Sequence, residues 1–340
     1  MIPPLAFEAY RRNLYTAEEL FRCFDPSHPE SYANSYDVSI YREFISLGGS
    51  ATTDFFAASS RAVHDCCISQ LLARAIYEKR VTAIMGGHGA LRGDPNYVAA
   101  ANIAARLAAK DHIVVSGGGP GAMEAVHLGA SFAADIKSLA EAIDQLRRGP
   151  LSIPKNASRL VKPDGSIDRD IARKLGEFLA PALSIRRSHG TGGGLGIPTW
   201  MYGHEPTTPL ADGIAKYFQN SIREDGMLAL ATHGIVFVAG GAGTAQEIFQ
   251  DAAQNYYHTF PAGPAGAGYF SPMVFYGDFW TKTVDVQTPL RQLFSNGQPP
   301  VPAEFQERVR FTSDIEEAVE FVERFIPPSK NRTVSMLAEK

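Results

Sequence analysis

The sequence is poor in cysteine and carries little net charge. It has only three cysteines, Cys23, Cys66 and Cys67, and such a sparse, odd set is typical of a reducing compartment rather than of a disulfide framework. No CxxC or histidine partner accompanies the adjacent pair Cys66-Cys67, so we interpret both as buried helical cysteines. The net charge is −4, without a long basic run. We therefore expect no nucleic acid as a main partner.

Long apolar runs are also absent. No uninterrupted apolar stretch is long enough to cross a bilayer. The opening Met1-Ile2-Pro3-Pro4 is soon followed by Glu8, Arg11 and Arg12, and this lacks the architecture of a signal peptide. The sequence thus predicts a cytoplasmic protein that has no membrane partner. Hydrophobic residues make up 45% of the chain, which supports a sizeable core.

Several standard catalytic motifs are missing. The chain has no GxxxxGK[ST] loop, which argues against an ordinary P-loop ATPase. It has no HExxH and no paired CxxC, so we expect no metal site. A GxSxG nucleophile elbow is absent too. What the chain has instead is 31 glycines and 22 prolines, which predict many turns.

Two segments share the pattern of an apolar run, a glycine cluster and a helix. The first runs from Ile113–Ser116 through Gly117–Gly121, and the second from Ile235–Val238 through Gly240–Thr244. A strand that passes through glycines into a helix points unpaired N–H groups and the positive helix end at one place, which suits a phosphate. Two such turns predict a site for a phosphorylated small molecule and favour a nucleotide.

The first turn also fits the dinucleotide fingerprint, as Gly117-x-Gly119-x-x-Ala122. The usual companion is an acidic residue about 20 positions later, at the end of a strand. Here that distance falls in a predicted helix over Asp135–Glu141. An NAD(P)-dependent oxidoreductase is therefore a disfavoured alternative. The other alternative is that the first glycine turn binds no ligand and only allows the helix and the strand to pack closely.

The second turn has two interpretations. Thr244 and Glu247 have the spacing of a capping box, in which Thr244 is the N-cap and Glu247 binds its backbone N–H. Alternatively, Glu247 lies one turn into a helix beside a phosphate, where its carboxylate can assist chemistry at the adjoining sugar. His204 is a further candidate for lining a site, because it follows a predicted strand.

The chain divides into a helical start and an alternating remainder. Residues 1–80 have a capped helix start at Thr16 and a helix from Thr53 to Lys79, and we interpret them as an N-terminal helical extension that forms a cap or an oligomer surface. From Val81, short apolar runs alternate with helices. This alternation predicts an α/β fold with a Rossmann-like, doubly wound, mostly parallel sheet and helices on both faces.

The predicted nucleotide-binding domain spans 81–326, with a helical insertion at about 131–189 and a flexible tail at 327–340. Its predicted strands are Val81–Met85, His112–Ser116, Leu195–Tyr202, Gly234–Val238, Met273–Phe275 and Val309–Phe311. Its predicted helices are Tyr97–Ala109, Ile136–Arg148, Ile167–Phe178, Leu210–Leu230, Thr244–Tyr257 and Ile315–Phe325. The apolar N-terminal helices and the alanine-rich Tyr97–Ala109 helix suggest a homodimer or a higher homo-oligomer.

The glycine motifs together resemble a known family. Ser116–Ala125 closely resembles the TGGGPGIMEAANxGA element of the LOG ("Lonely Guy") proteins, and Ala239–Glu247 resembles their PGGxGTxxE motif in the same order. Upstream, Met85–Arg92 is similar to a variant of the family's opening GSAR segment. Arg223 stands where the family carries its catalytic arginine. The resemblance covers about Val81–Phe325.

This resemblance implies a Rossmann-like, cofactor-free enzyme. It would hydrolyse the N-glycosidic bond of a nucleoside 5′-monophosphate to a free base and ribose 5-phosphate. Glu247 would be the carboxylate near C1′, and Arg223 would contact the phosphate or the substrate. Substrate and phosphate contacts are expected from Gly117, Gly118, Gly119, Gly121, Met123, Glu124, Gly240, Gly241, Gly243 and Thr244, with His88, Arg92 and His204 as further candidates.

The chain departs from the family pattern in three respects. Ala239 replaces the usual proline, Gly87-His88-Gly89 replaces Gly-Ser-Ala, and residues 1–80 and 131–189 are additional. These departures point away from a minimal cytokinin-activating enzyme and leave the base preference open. A non-catalytic nucleotide carrier or sensor stays the main alternative, since cradle residues serve binding and hydrolysis equally.

Overall fold

The computed structural model describes residues 5–133, 135–257, 268–298 and 300–328. Most of the predicted tail at 327–340 lies outside these residues. Within them the chain forms one seven-stranded sheet, in which every neighbouring pair of strands is parallel. The strands are β1 (Arg80–Met85), β2 (His112–Ser116), β3 (Leu195–Gly196), β4 (Gly213–Ile214), β5 (Ile235–Phe237), β6 (Met273–Tyr276) and β7 (Val309–Thr312).

The helices of the described residues precede the sheet, connect its strands or, in the case of α12, follow the last strand. They are α1 (Ala17–Leu20), α2 (Tyr36–Ser46), α3 (Phe55–Ala75), α4 (Pro95–Ala108), α5 (Ala122–Ser131), α6 (Ile136–Arg147), α7 (Arg169–His189), α8 (Asn220–Leu230), α9 (Ala242–Tyr256), α10 (Gln287–Asn296), α11 (Pro302–Arg308) and α12 (Ile315–Glu323). The predicted α/β, Rossmann-like fold is confirmed. None of the helices in the described ranges is both long and apolar enough to cross a membrane.

The central strands are apolar along their length because both faces of the sheet are covered. Successive side chains of β5 point to opposite faces, so Ile235 and Phe237 belong to one buried cluster while Val236 belongs to the other. Helices α4, α5, α6 and α12 contribute to the Val236 side. The N-terminal helices, α8, α9 and α10 contribute to the other side. The sheet therefore has helices on both faces, as predicted.

The N-terminal helices cover one face of the sheet. Leu20, Ile40 and Leu72, from α1, α2 and α3, are buried in the same cluster as Phe237 of β5. Helix α7 packs closely on this segment, since a Cβ added to Gly176 would lie 2.1 Å from the carbonyl oxygen of Pro29. The predicted insertion at 131–189, which contains α6 and α7, thus lies in the connection between β2 and β3 and contacts residues before the sheet.

The helix predicted over Ile167–Phe178 continues to His189 as α7, and two other predicted elements differ in kind from the structure. The expected strand Leu195–Tyr202 ends at Gly196, because Pro198 lacks the N–H that a strand ladder needs, and Trp200–Tyr202 forms a 3₁₀ turn. The expected helix Leu210–Leu230 begins only at Asn220, and its first part contains β4. The apolar residues of this first part have helical spacing, but they lie in extended chain that is buried on both of its sides. They are Leu210, Ala211, Ile214, Ala215 and Phe218.

One further prediction is wrong. Cys66 of α3 is exposed and Cys67 is half-exposed, so they are not the expected buried pair. The alanine-rich helix is not an exposed contact surface, because α4 is buried between α5 and α12 within the chain. A Cβ added to Gly129 of α5 would lie 1.9 Å from the carbonyl oxygen of Ala101. Small residues thus serve close packing of α4 on α5 within the chain, and the homo-oligomer stays a prediction.

Candidate active site

A cleft of about 660 Å³ opens at the carboxyl ends of β1, β2 and β5. The strand order is β4-β3-β2-β1-β5-β6-β7, so the chain leaves β1 toward β2 on one side and returns to β5 on the other. In open parallel sheets, ligands bind where the strand order reverses in this way. The segment Met85–Ala90, part of the first glycine turn and Ala239–Thr244 all line the cleft. The fold therefore brings together the motifs on which the sequence prediction rests.

Glycines in the loop after β1 allow the two turns to lie side by side. A Cβ added to Gly86 would lie 2.4 Å from the Val238 side chain and 2.8 Å from that of Ala122. A Cβ on Gly87 would lie 3.1 Å from the Cα atom of Gly240. Larger residues at these positions would separate the start of α5 from the second turn.

The first glycine turn is largely closed by hydrogen bonds within the protein. The Gly118 N–H donates to the Ser116 hydroxyl at 3.1 Å, and the Ala122 N–H donates to the Gly87 carbonyl at 3.1 Å. Gly118 and Gly121 have φ angles of +69° and +71°, which favour glycine. Neither lines the cleft, whereas Gly117, Gly119 and Met123 do. This turn therefore contributes mainly to the shape of the cleft, and it offers few free backbone N–H groups to a ligand.

The second turn is open. Helix α9 has Gly241 as its N-cap, with no side chain capping it, and Gly241, Ala242 and Gly243 are exposed. A Cβ added to Gly241 or Gly243 would meet nothing within 4 Å. The first N–H groups of a helix have no partner inside the helix and carry the positive end of its dipole. The start of α9 can therefore hold a phosphate.

The capping-box interpretation of Glu247 is wrong. The helix begins at Ala242, so Thr244 is a buried residue of its first turn rather than the N-cap. Gly241 takes the N-cap position in an extended conformation, with φ −99° and ψ −156°. The Thr244 side chain packs on Gly240, where an added Cβ would lie 2.2 Å from the threonine Oγ1. Glu247 is thus free of a capping role.

Glu247 has the properties of a group poised to exchange a proton. It lines the cleft, is half-buried, and makes no hydrogen bond or ion pair among the described residues. Loss of solvent raises its pKa to about 7, with the Arg223 charge lowering the pKa and the Glu224 charge raising it. Removal of water disfavours the charged form of a carboxyl group, which explains the direction. Shifts of this kind are typical of functional carboxyl groups.

Arg223 is held in place beside both glycine turns. It lies on α8 with 8% of its surface exposed. Its Nε donates to Asn220 Oδ1 at 2.8 Å, and its Nη2 donates to Glu224 Oε1 at 3.3 Å. A Cβ added to Gly117 would lie 3.5 Å from Nη1. The guanidinium group therefore faces the cleft in a fixed orientation.

Besides Gly118 and Gly121, the expected site residues Arg92 and Glu124 lie outside the cleft. Arg92 and Glu124 form a buried bidentate ion pair, with Arg92 Nε and Nη2 at 2.8 and 2.6 Å from the two carboxylate oxygens. The Tyr97 hydroxyl donates to the same carboxylate at 2.9 Å, and Arg92 stacks on Phe178. Neither charged group lines the cleft. Their contacts join α4, α5 and α7 rather than presenting groups to a ligand.

One wall of the cleft comes from the segment after the 3₁₀ turn Trp200–Tyr202. Tyr202 and Glu205 line the cleft, while His204 faces Tyr41 of α2, with 3.5 Å between Nδ1 and the hydroxyl oxygen. His88 lines the cleft from the β1 loop, and its Nδ1 lies 3.5 Å from Glu205 Oε1. Loss of solvent raises the pKa of Glu205, whereas His88 and Arg223 lower it.

Asp37 of α2 holds that wall in place. Its carboxylate accepts from Trp200 Nε1 at 2.9 Å and from the Thr207 hydroxyl at 3.3 Å, which lie before and after the segment containing Tyr202 and Glu205. Lys216 Nζ, also fully buried, donates to both carboxylate oxygens at 2.7 and 2.9 Å. The N-terminal helices are therefore part of the site and not only a cover for the sheet.

Sequence reasoning missed several cleft residues. Glu224 adjoins Arg223, so the arginine motif pointed to it. Asp94 and Asn96 follow the segment similar to the family's opening motif. No sequence feature marked Tyr202 as a site residue, because the segment that contains it was predicted to be a strand. Only its position next to β3 in the folded chain brings it to the cleft.

Comparison with known proteins adds nothing to this assignment. The chain matches no protein-family model and no curated protein. Within the described ranges, no group of three or more His, Cys, Asp and Glu side chains is placed to hold a metal ion. The evidence for a function therefore consists of the cleft itself and the motif resemblance.

Gly243→Ala tests the phosphate cradle at the start of α9. The new methyl group meets open space in the protein and alanine favours a helix, so we expect unchanged or higher stability, by up to about 1 kcal/mol. The same methyl group would occupy the side from which a phosphate approaches, so AMP affinity should fall at least about tenfold, or 1.4 kcal/mol. Calorimetry with AMP and adenosine, together with thermal melts, measures both effects.

Gly226→Ala in α8 is the matched control, because an added Cβ there also meets nothing within 4 Å and Gly226 does not line the cleft. It should leave AMP affinity unchanged. Equal affinity of the wild-type protein for AMP and adenosine, or unchanged AMP binding by the Gly243 variant, would contradict the cradle.

Proposed function

We propose that this chain hydrolyses the N-glycosidic bond of a nucleoside 5′-monophosphate, giving a free base and ribose 5-phosphate. The observation that carries the proposal is Glu247. It is a half-buried carboxyl group with no hydrogen bond or ion pair among the described residues, and it shares α9 with an open, uncapped helix N-terminus. A nucleotide whose 5′-phosphate occupies that N-terminus would place its ribose near the next turn of the same helix.

The proposed chemistry follows from the charge that develops on the sugar. Breaking a bond between C1′ and nitrogen gives the ribose oxocarbenium character, as in glycoside hydrolysis generally. An ionised Glu247 can stabilise this charge and accept a proton from the attacking water. Arg223, fixed by Asn220 and Glu224, supplies a positive group for the phosphate or a ribose hydroxyl.

The resemblance to the LOG proteins supports the same reaction. Both long motifs line the cleft in part, and the glutamate and arginine that the resemblance marks as catalytic lie in it together. A non-catalytic carrier would use the same cradle, but it has no need for an unpaired carboxyl group whose pKa is raised to about 7. Homo-oligomer formation, which the resemblance also implies, stays part of the proposal.

Glu247→Gln should separate hydrolysis from binding. The amide keeps the shape but cannot become a negative group, so it removes an interaction made only in the transition state. We expect kcat for the best monophosphate to fall by about 10²-fold or more, while nucleotide affinity changes little. Release of ribose 5-phosphate from a panel of nucleoside monophosphates provides the rates, and a thermal melt checks folding.

Glu320→Gln makes the same change on the exposed face of α12 and is the control for altered net charge. It should have wild-type kcat. A folded Glu247 variant that turns over near the wild-type rate would show that Glu247 is not the catalytic group.

The pH profile should report the ionisation of Glu247. Because the carboxylate form is needed, kcat/KM should rise as pH increases through about 7, the raised pKa of this group. Glu224 raises the pKa of Glu247, so Glu224→Gln should move this acid limb to lower pH. Arg223 lowers the same pKa, so Arg223→Gln should move the limb to higher pH while also weakening substrate binding. Shifts in the same direction for both variants would exclude this assignment.

A further inference from the structure

A hydrolase of this kind needs a second group, because the departing base must take up a proton. Among the residues that the structure describes, the carboxyl and imidazole groups that line the cleft belong to His88, Asp94, Glu205, Glu224 and Glu247. In the proposed function, Glu247 acts on the sugar and on the attacking water. The question is which of the other four can release a proton toward the base.

Asp94 and Glu224 are already occupied as acceptors. Asp94 caps α4, with its two oxygens accepting from the Tyr97 N–H at 2.8 Å and the Leu91 N–H at 2.8 Å. Glu224 accepts from Asn220 at 2.8 Å and from Gln246 at 3.2 Å. Both oxygens of each carboxyl group are thus engaged by donors of the protein, so neither group is placed to donate a proton to a base. His88 and Glu205 are left.

His88 and Glu205 approach each other from two different loops. His88 follows β1 with its side chain 62% exposed, whereas the Glu205 side chain is 18% exposed and lies behind it. Glu205 Oε1 is 3.5 Å from His88 Nδ1, and Glu205 Oε2 is 3.6 Å from the Cβ position of Gly119. Since Nδ1 is the imidazole nitrogen near the carboxyl group, Nε2 is the nitrogen that we assign to a ligand.

The Glu205 side of this pair is rigidly held. The Glu205 N–H donates to the Tyr202 carbonyl at 2.8 Å, and Gly203 packs so closely on Tyr41 that an added Cβ would lie 2.2 Å from its ring. Asp37 fixes both ends of the segment through Trp200 and Thr207. A carboxyl group on a backbone held in this way can orient an imidazole, as the third group of a catalytic triad does.

We propose that His88, oriented by Glu205, donates the proton that the leaving base takes up, an inference that rests on the proposed N-glycosidic hydrolysis. The bond between C1′ and the base nitrogen breaks, and its electron pair leaves with the base. The proton on His88 Nε2 passes to a base nitrogen. Water adds to C1′ and its proton passes to Glu247. Solvent then reprotonates His88 and deprotonates Glu247. His88 is the catalytic residue, and Glu205 is a positioning residue.

A leaving group that needs no proton tests this assignment. The two substrates are the best natural monophosphate and 4-nitrophenyl β-D-ribofuranoside 5-phosphate, whose nitrophenolate departs as a stable anion. His88→Gln and Glu205→Gln should each lower kcat on the monophosphate by about 10²-fold, the scale of general acid catalysis, and should stay within about threefold of wild type on the nitrophenyl substrate. Glu247→Gln should lose activity on both substrates.

His28→Gln is the matched control, since His28 forms an exposed pair with Asp25 at 3.0 Å outside the cleft. It should be unchanged on both substrates. If the wild-type protein accepts the nitrophenyl compound poorly, the 7-methyl derivative of a purine monophosphate replaces it, because its base is already cationic. Thermal melts check that each variant folds.

Two results would overturn the role of His88 and Glu205. Equal losses on both substrates would mean that the pair supports binding or cleft shape, and no loss on the monophosphate would mean that the pair is not used. Either result leaves hydrolysis by the wild-type protein intact. Failure of the wild-type protein to hydrolyse any monophosphate is a different outcome, which removes the proposed function and this inference together.

Discussion

The position of β1 between β2 and β5 is the constraint on which the cleft depends. Parallel strands end at the same edge of the sheet, and the chain departs from β1 in one direction and returns on its other side. The helices that follow β2 and β5 therefore diverge and leave a crevice above β1. Gly86 and Gly87 lie at the bottom of that crevice, and because they have no side chain the two glycine turns can lie side by side. Glu247, Arg223 and the open start of α9 all face the space so formed.

A second constraint is the buried ion pair of Asp37 and Lys216, which connects the N-terminal helices to the sheet. Removing one partner of a buried pair leaves an uncompensated charge and typically costs about 3–5 kcal/mol. Here the same carboxylate also holds Trp200 and Thr207, on either side of the wall that carries Glu205. Residues before the sheet thus determine the shape of the cleft, which explains how a compact parallel sheet can depend on an added helical segment.

How much of this was predictable from sequence depended on the kind of signal. Strands such as His112–Ser116 were placed correctly, because burial on both faces makes them continuous apolar runs. The segment 195–218 was misassigned, since two-residue strands are too short to show alternation and the apolar residues from Leu210 to Phe218 have helical spacing although they lie in extended chain. The motifs led to Glu247 and Arg223, but the ion pair of Arg92 with Glu124 and the contact of His88 with Glu205 link positions 32 and 117 residues apart. Pairings at that separation are set by the folded topology, which local spacing does not encode.

The central claim is that the bond between C1′ and the base is cleaved by water. Its most direct test is incubation of the protein with nucleoside 5′-monophosphates in water enriched in ¹⁸O, followed by mass spectrometry of the products. The account predicts free base together with ribose 5-phosphate that carries the heavy oxygen at C1. Nucleotides that stay intact over a long incubation, or a label found in inorganic phosphate beside an intact nucleoside, would contradict it.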